Sequence, residues 1–148
     1  MPILMLLATI AATASPVGTA QLLYQNLPDF YIYPEKARPL LSERLHKLLS
    51  AEARCTDGMQ CAIGTYPWTG AQDGDIQEPI TFNEISRSSS ISNIQMCYHF
   101  FLGAEPAANQ CSTIVMVQTS TGHWVMDDLL DPSGYSLRHT LESYDYGL

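Results

Sequence analysis

The spacing of the apolar residues changes in the middle of the chain, at the turn Asp73-Gly74-Asp75. Before the turn, apolar side chains have the i, i+4, i+7, i+8 spacing of one helix face, at Leu41, Leu45, Leu48 and Leu49. After it, they alternate with other residues as in a strand with one buried face, at Ile94, Met96, Tyr98, Phe100 and Leu102. A chain with helices first and strands afterwards is predicted to fold as an α+β layer structure.

Strand-like segments follow one another through the second half of the chain, at 80–85, 92–102, 111–119 and 123–130. Because short turn-rich segments separate them, we expect three to four antiparallel strands in a meander, with the N-terminal helices packed against the sheet. Ser136 has the position of an N-cap for a short C-terminal helix in which Leu137 and Leu141 share a face.

The first twenty residues contain no charged side chain and have the pattern of a secretory signal peptide. The apolar run from Ile3 to Ala12 leads to two small-x-small sites, which end at Ala14 and Ala20. It is shorter than the ~20 residues that a membrane-spanning helix needs. We therefore predict a signal peptide at 1–20, with cleavage after Ala20 preferred over Ala14, and a single domain at 21–148. The mature protein would be periplasmic or secreted, without stable membrane insertion.

All charged residues lie in the predicted mature domain, and the formal net charge is −8. An acidic surface repels phosphate backbones and anionic lipid headgroups, so neither nucleic-acid nor membrane-surface binding is expected. The same charge favours a basic protein as the partner, and a small molecule remains the other candidate ligand. Solubility alone also accounts for an acidic surface.

Four cysteines in a chain with a predicted signal peptide indicate two disulfides rather than a metal site. Zinc sites usually contain Cys-x-x-Cys or closely spaced His pairs, and neither pattern occurs. Of the three connectivities, we favour Cys55–Cys61 and Cys97–Cys111, because each closes a short local loop. The second bridge would join two strands of one hairpin.

The segment before the turn combines a large aromatic residue with polar side chains, and its candidate binding residues are Trp68, Gln72, Asp73 and Asp75. Paired carboxylates can serve as acid and base when burial separates their pKa values. They can also bind a cation. Asp73 can also accept hydrogen bonds from the backbone of its own turn, and Trp68 can pack in the core. A calcium loop is not expected, because Glu78 stands where such a loop has glycine.

Two histidines are available as general bases, His99 on a predicted strand and His123 at the start of another. Strand alternation can bring only His99 close to a carboxylate, that of Asp127, so these two are candidate binding residues and would be the His–Asp pair if the protein were an enzyme. No catalytic residue is assigned, and the favoured interpretation of Asp127 and Asp128 is that they mark the end of the strand. No Gly-x-Ser-x-Gly motif surrounds any serine, and the cysteines are expected to be oxidised.

The order of these segments resembles domain-of-unknown-function family 3828, a group of exported bacterial proteins in the cystatin-like superfamily typified by nuclear transport factor 2. Two blocks carry the resemblance, Trp-Thr-Gly-Ala-Gln-Asp at 68–73 and Gly-His-Trp-Val-Met-Asp-Asp at 122–128. A Tyr-Pro helix start and a Leu-Ser-x-Arg-Leu helix precede them. The resemblance implies a curved sheet that wraps against helices and forms a cone. It implies no catalytic residue, because that fold is found in enzymes and binding proteins alike.

These observations predict an exported binding protein, of which an inhibitor or immunity protein against a basic toxin is one version. No cofactor or metal is expected. One alternative is a small hydrolase or isomerase that uses a His–Asp pair in a cone-shaped pocket. Another is a structural or envelope-stress accessory protein with no pocket ligand.

Overall fold

A computed structural model describes residues 10–56, 61–103 and 107–147 of the chain. Among these residues the helices are α1 (Pro16–Asn26), α2 (Pro34–Ala37), α3 (Glu43–Thr56) and α4 (Leu137–Glu142), and a 3-10 turn (Arg38–Leu40) joins α2 to α3. Proline occupies the first turn of α1 and of α2, where its missing N–H costs no hydrogen bond. Ser136 caps α4 by accepting a hydrogen bond from His139 N–H, as predicted.

The sheet is an antiparallel meander with the strand order β1-β2-β3-β4. The strands are β1 (Asp75–Arg87), β2 (Ile91–Phe101), β3 (Ala108–Gln118) and β4 (Trp124–Leu130). The α+β class and the four-stranded antiparallel sheet are therefore confirmed. The cone-like curvature stays a prediction.

Alternation along β2 and β3 separates a buried face of the sheet from a half-exposed one. On β2 the buried side chains are Ile94, Met96, Tyr98 and Phe100, as the spacing predicts. Leu102 lies beyond the end of the strand and is exposed. Helix α1 contacts all four strands, and Leu45 and Leu49 of α3 are fully buried in the same core cluster. Burial of each such leucine side chain stabilises the folded state by roughly 2 kcal/mol.

Both predicted disulfides are present. Cys55 at the end of α3 is bonded to Cys61. Cys97 and Cys111 are register partners on adjacent strands, so their bond crosses the β2–β3 hairpin. The connectivity favoured by loop length is confirmed, and it is consistent with a protein that folds in an oxidising compartment.

Helix α1 begins within the segment predicted to be a signal peptide. Ser15 caps it by accepting a hydrogen bond from Gly18 N–H, and Thr19 and Ala20 are fully buried. A cut after Ala20 would divide this helix, whereas a cut after Ala14 would leave it whole. Residues 1–9, which hold most of the apolar run, lie outside the described residues, and the signal peptide itself stays a prediction. No described helix is long and apolar enough to cross a membrane.

The two edges of the sheet differ. Beside β4, Thr13 forms a bridge to Trp124 and Leu41 forms a bridge to Met126, so neighbouring chain lies along this edge. Within the described part of the chain, strand β1 pairs with β2 alone, and its side chains are mostly exposed. Pro79 within β1 has no N–H, and such residues are typical of unpaired edge strands.

Candidate functional site

Trp68 joins the helical half of the chain to the sheet. Its side chain is fully buried, and its indole N–H donates to the carbonyl oxygen of Pro28 at 2.9 Å. Its own carbonyl oxygen accepts hydrogen bonds from Tyr98 Oη at 3.1 Å and from Ser112 Oγ. The interpretation of Trp68 as a core residue at this junction is correct.

Two aromatic rings hold the indole of Trp68 from the helical side. Tyr24 of α1 meets it edge-on with 5.1 Å between ring centroids, and Phe30 does so at 5.5 Å. Edge-to-face pairs contribute about 0.5–1.5 kcal/mol each beyond the burial of their area. Trp68 is therefore held on both sides and is not available to a ligand.

The backbone around Trp68 depends on two glycines with positive φ. A Cβ on Gly70 (φ +70) would lie 2.4 Å from Asp131 Oδ2, and one on Gly74 (φ +108) would lie 2.4 Å from Phe100 Cζ. The side chain of Asp73, by contrast, forms no hydrogen bond or ion pair with the described residues. The turn therefore packs closely against Phe100 of β2 because Gly74 has no side chain. In the described part of the chain, the expected hydrogen bonds from the backbone of the turn to Asp73 are not formed.

The turn forms one wall of an open cleft of about 710 Å³. Residues 71–74 and 63–66 line the cleft, together with Tyr31, Ile32 and Glu52. Glu52 of α3 is buried and fixes the opposite wall, because its carboxylate accepts Ala62 N–H at 2.8 Å and Ile63 N–H at 3.0 Å. Tyr146 near the C-terminus donates its hydroxyl to the same carboxylate at 2.9 Å.

The cleft has an acidic and aromatic lining. Asp73 and Gln72 line it with exposed side chains, and the rings of Tyr31 and Tyr66 lie 6.2 Å apart. Burial, followed by the nearby Tyr24, Tyr31 and Asp29, raises the pKa of Tyr66 to about 12. Burial and then Asp29 also raise the pKa of Tyr31. Both phenols therefore stay neutral at physiological pH, in a negative local potential.

The structure does not bring the candidate His–Asp pair together. His99 pairs with Asn109 in the sheet register, whereas the bulge at Asp127 and Asp128 lies opposite Val115. The distance along β3 between Asn109 and Val115 is about 20 Å at ~3.3 Å per residue. Neither His99 nor Asp75 lines the cleft.

Asp127 instead forms an ion cluster in which its own side chain is buried, whereas those of Arg44 and Arg138 are 60% and 25% exposed. Its carboxylate accepts Ser42 Oγ at 2.8 Å and Arg44 Nε at 2.7 Å, and Arg138 Nη1 is bonded to it at 2.5 Å. Burial alone would raise the pKa of Asp127, but the hydrogen bonds from Arg44 and Ser42 and the two cationic charges outweigh it and lower that pKa. The cluster ties α3 and α4 to β4, so Asp127 is structural and has no free lone pair facing a pocket.

Sequence reasoning missed the cleft residues that come from the helical half, Tyr31, Glu52 and Tyr66. The only local signal was the aromatic pattern Tyr31-Ile32-Tyr33 directly before Pro34, which places large rings in a connection rather than in a helix. No group of three or more potential metal ligands is formed by the described residues.

No family model, curated protein or solved structure matches this chain. The resemblance to domain-of-unknown-function family 3828 is therefore still a prediction that rests on its two sequence blocks.

Proposed function

We propose that this protein is exported and binds a basic protein, with a cationic side chain of that partner held in the cleft. The observation that supports this most directly is the lining itself, which contains Tyr31, Tyr66 and the exposed carboxylate of Asp73. Among the described residues no lysine, arginine or histidine lines the cleft. A guanidinium or ammonium group would find ring faces and a charged acceptor in one place.

The electrostatics favour the same ligand. Asp73 has an exposed carboxylate without a partner among the described residues, so a ligand need not displace an internal bond. Asp29 adds a second negative charge close enough to act on both phenols. The net charge of −8 would also accelerate the approach of a basic partner.

Export is supported by the signal-like N-terminus and by two disulfides. A small, exported, acidic protein with an acceptor cleft suits an inhibitor or immunity protein, because such proteins block a basic surface rather than perform chemistry. The hydrolase or isomerase alternative loses its basis, since His99 and Asp127 are far apart and Asp127 is occupied by Arg44 and Arg138.

Calorimetric titration with two peptides of equal length, one rich in arginine and one rich in glutamate, tests the cleft. We expect only the arginine peptide to bind, with an affinity that falls as salt increases. Asp73→Asn should weaken binding about fivefold, which corresponds to about 1 kcal/mol for one charged hydrogen bond. Tyr31→Ala should weaken it further.

Glu142→Gln is the matched control, because it also removes one negative charge but lies on α4, outside the cleft lining. Equal binding of both peptides, or equal effects of Asp73→Asn and Glu142→Gln, would show that only net charge matters and would exclude this site. Capture from an extract of exported proteins then identifies the partner, whose direct binding must show the same dependence on Asp73.

A further inference from the structure

A ridge of two exposed apolar side chains lies beside the cleft. Ile32 and Tyr33, between α1 and α2, are 49% and 54% exposed. Ile32 lines the cleft on one side and a second groove, of about 400 Å³, on the other. Contiguous exposed apolar surface can mark a protein interface, and the grooves on both sides extend this ridge.

The far side of this ridge has the opposite charge to the cleft. The groove beyond Tyr33 is lined by Lys36 and Arg54, and it continues into a third groove of about 650 Å³ that contains Arg38 and Lys47. The two grooves share Glu35, Ser50 and Arg54, so they form one basic surface along α2 and α3.

Two acidic residues also line this basic surface, Glu35 and Glu43. Glu35 is hydrogen-bonded to His46 at 2.9 Å and forms an ion pair with Arg38 at 3.7 Å, whereas Glu43 forms no ion pair with the described residues. Lys47 and Arg54 are exposed and form no ion pair with the described residues. Five of the seven lysines and arginines of the chain lie in α2, the 3-10 turn and α3, at Lys36, Arg38, Arg44, Lys47 and Arg54.

We infer that the ridge of Ile32 and Tyr33 is the centre of a two-fold interface between two copies of this chain. A two-fold axis that runs along the ridge places the acidic cleft of each copy opposite the basic surface of the other. The charge pattern is thus complementary to itself, which is what an isologous interface requires. Tyr33 also stacks with Lys36 at 4.9 Å, so the ridge presents a preorganised aromatic anchor.

This dimer is weak and reversible, because its apolar centre is small and exposed ion pairs contribute little each. It covers the cleft from above. If the cleft binds a basic partner as proposed, self-association and partner binding exclude each other, and the concentration of the protein regulates its own binding site.

Sedimentation velocity of the purified protein alone tests the inference, so its failure is separate from any failure to find a partner. We expect a monomer–dimer equilibrium between about 1 µM and 1 mM, weaker at high than at low salt. Tyr33→Ser should weaken the dimer at least tenfold. Tyr135→Ser is the matched control, because Tyr135 is 73% exposed but lies in the loop before α4, and it should change nothing.

A charge exchange tests the symmetry. Arg54→Glu and Asp73→Lys should each abolish the dimer, because each puts like charges in both halves of the interface. An equimolar mixture of the two variants should form a heterodimer, since every contact in it again joins opposite charges. A monomer at all concentrations, or a dimer that survives Tyr33→Ser, would overturn the inference. So would a mixture that does not associate when the wild type does.

Discussion

The indole nitrogen of Trp68 lies 2.9 Å from the carbonyl oxygen of Pro28, forty residues earlier in the chain. This bond joins the connection after α1 to the loop before β1, and the indole that donates it is fully buried. It fixes the position of Tyr31 and of the Ile32–Tyr33 ridge relative to the turn that carries Asp73. The geometry of the cleft therefore depends on a residue that no ligand touches.

Trp68→Phe should lower the free energy of unfolding by about 2–4 kcal/mol, because it leaves the Pro28 carbonyl unpaired and creates a small cavity. Trp124→Phe is the control, since Trp124 is also buried but makes no indole hydrogen bond with the described residues. Urea unfolding should show the smaller loss for the control. Equal losses would mean that the bond to Pro28 contributes nothing.

Asp127→Asn should lower the free energy of unfolding by about 3 kcal/mol. Arg44 and Arg138 would lose their charged acceptor, whose side chain is only 3% exposed. Arg38→Ala removes an exposed pair with Glu35 and should cost less than about 0.5 kcal/mol. Thermal unfolding at neutral pH measures both. Similar effects of the two substitutions would contradict the assignment of Asp127 as a buried charged acceptor.

The stability contributed by Asp127 should depend on pH in a defined direction. Its pKa is lower in the folded protein than the ordinary value of 3.8, so the folded state releases the proton more readily. The contribution is present in full above pH 4 or so and is lost as pH falls through the folded pKa. The difference in unfolding free energy between wild type and Asp127→Asn should therefore shrink on acidification; a difference that is constant down to pH 2 or so would argue against it.

Tyr146→Phe should lower stability by about 1 kcal/mol at neutral pH, because Glu52 loses one of its three hydrogen-bond donors. Burial and then the bond to Glu52 raise the pKa of Tyr146 above its ordinary value of 10.0. The contribution is thus complete below pH 10 and disappears as pH rises further. Unfolding curves of both proteins from neutral to strongly alkaline pH should converge.

Removing each disulfide should lower the free energy of unfolding by a different amount. Loop-closure entropy assigns about 2 kcal/mol to the Cys55–Cys61 bridge and about 3 kcal/mol to the longer Cys97–Cys111 loop. Double Cys→Ala variants of each pair, compared with the wild type by thermal unfolding with and without dithiothreitol, measure them separately. A wild-type melting temperature that dithiothreitol leaves unchanged would contradict both values.

The sheet and the amphipathic helix could be predicted because their signal is local and periodic. Leu45 and Leu49 repeat on one helix face, and Met96, Tyr98 and Phe100 alternate on one strand face. Strand β1 was predicted to begin at residue 80, but it begins at Asp75. Acidic residues and Pro79 hide the strand pattern there, and pairing with the long strand β2 imposes the extended backbone.

The start of α1 and the cleft could not be predicted, for two different physical reasons. The residues of α1 around Ala20 are apolar or have small side chains. A buried helix of this composition cannot be distinguished by sequence from a signal peptide. The cleft unites Tyr31, Glu52 and Asp73 from three separate elements, and only tertiary packing decides that they meet. The contacts of Arg44 and Arg138 with Asp127 could not be predicted either, because they join three different elements of the fold.

The unequal edges of the sheet limit how this protein can assemble through its strands. Leu41 lies along β4, and so does Thr13 as long as the N-terminal segment is retained, so among the described residues β1 is the edge that is open to a further strand. A folded copy can thus accept one neighbour at most, and that neighbour has no second open side to offer. Growth by strand addition at the described sheet edges therefore stops at a pair.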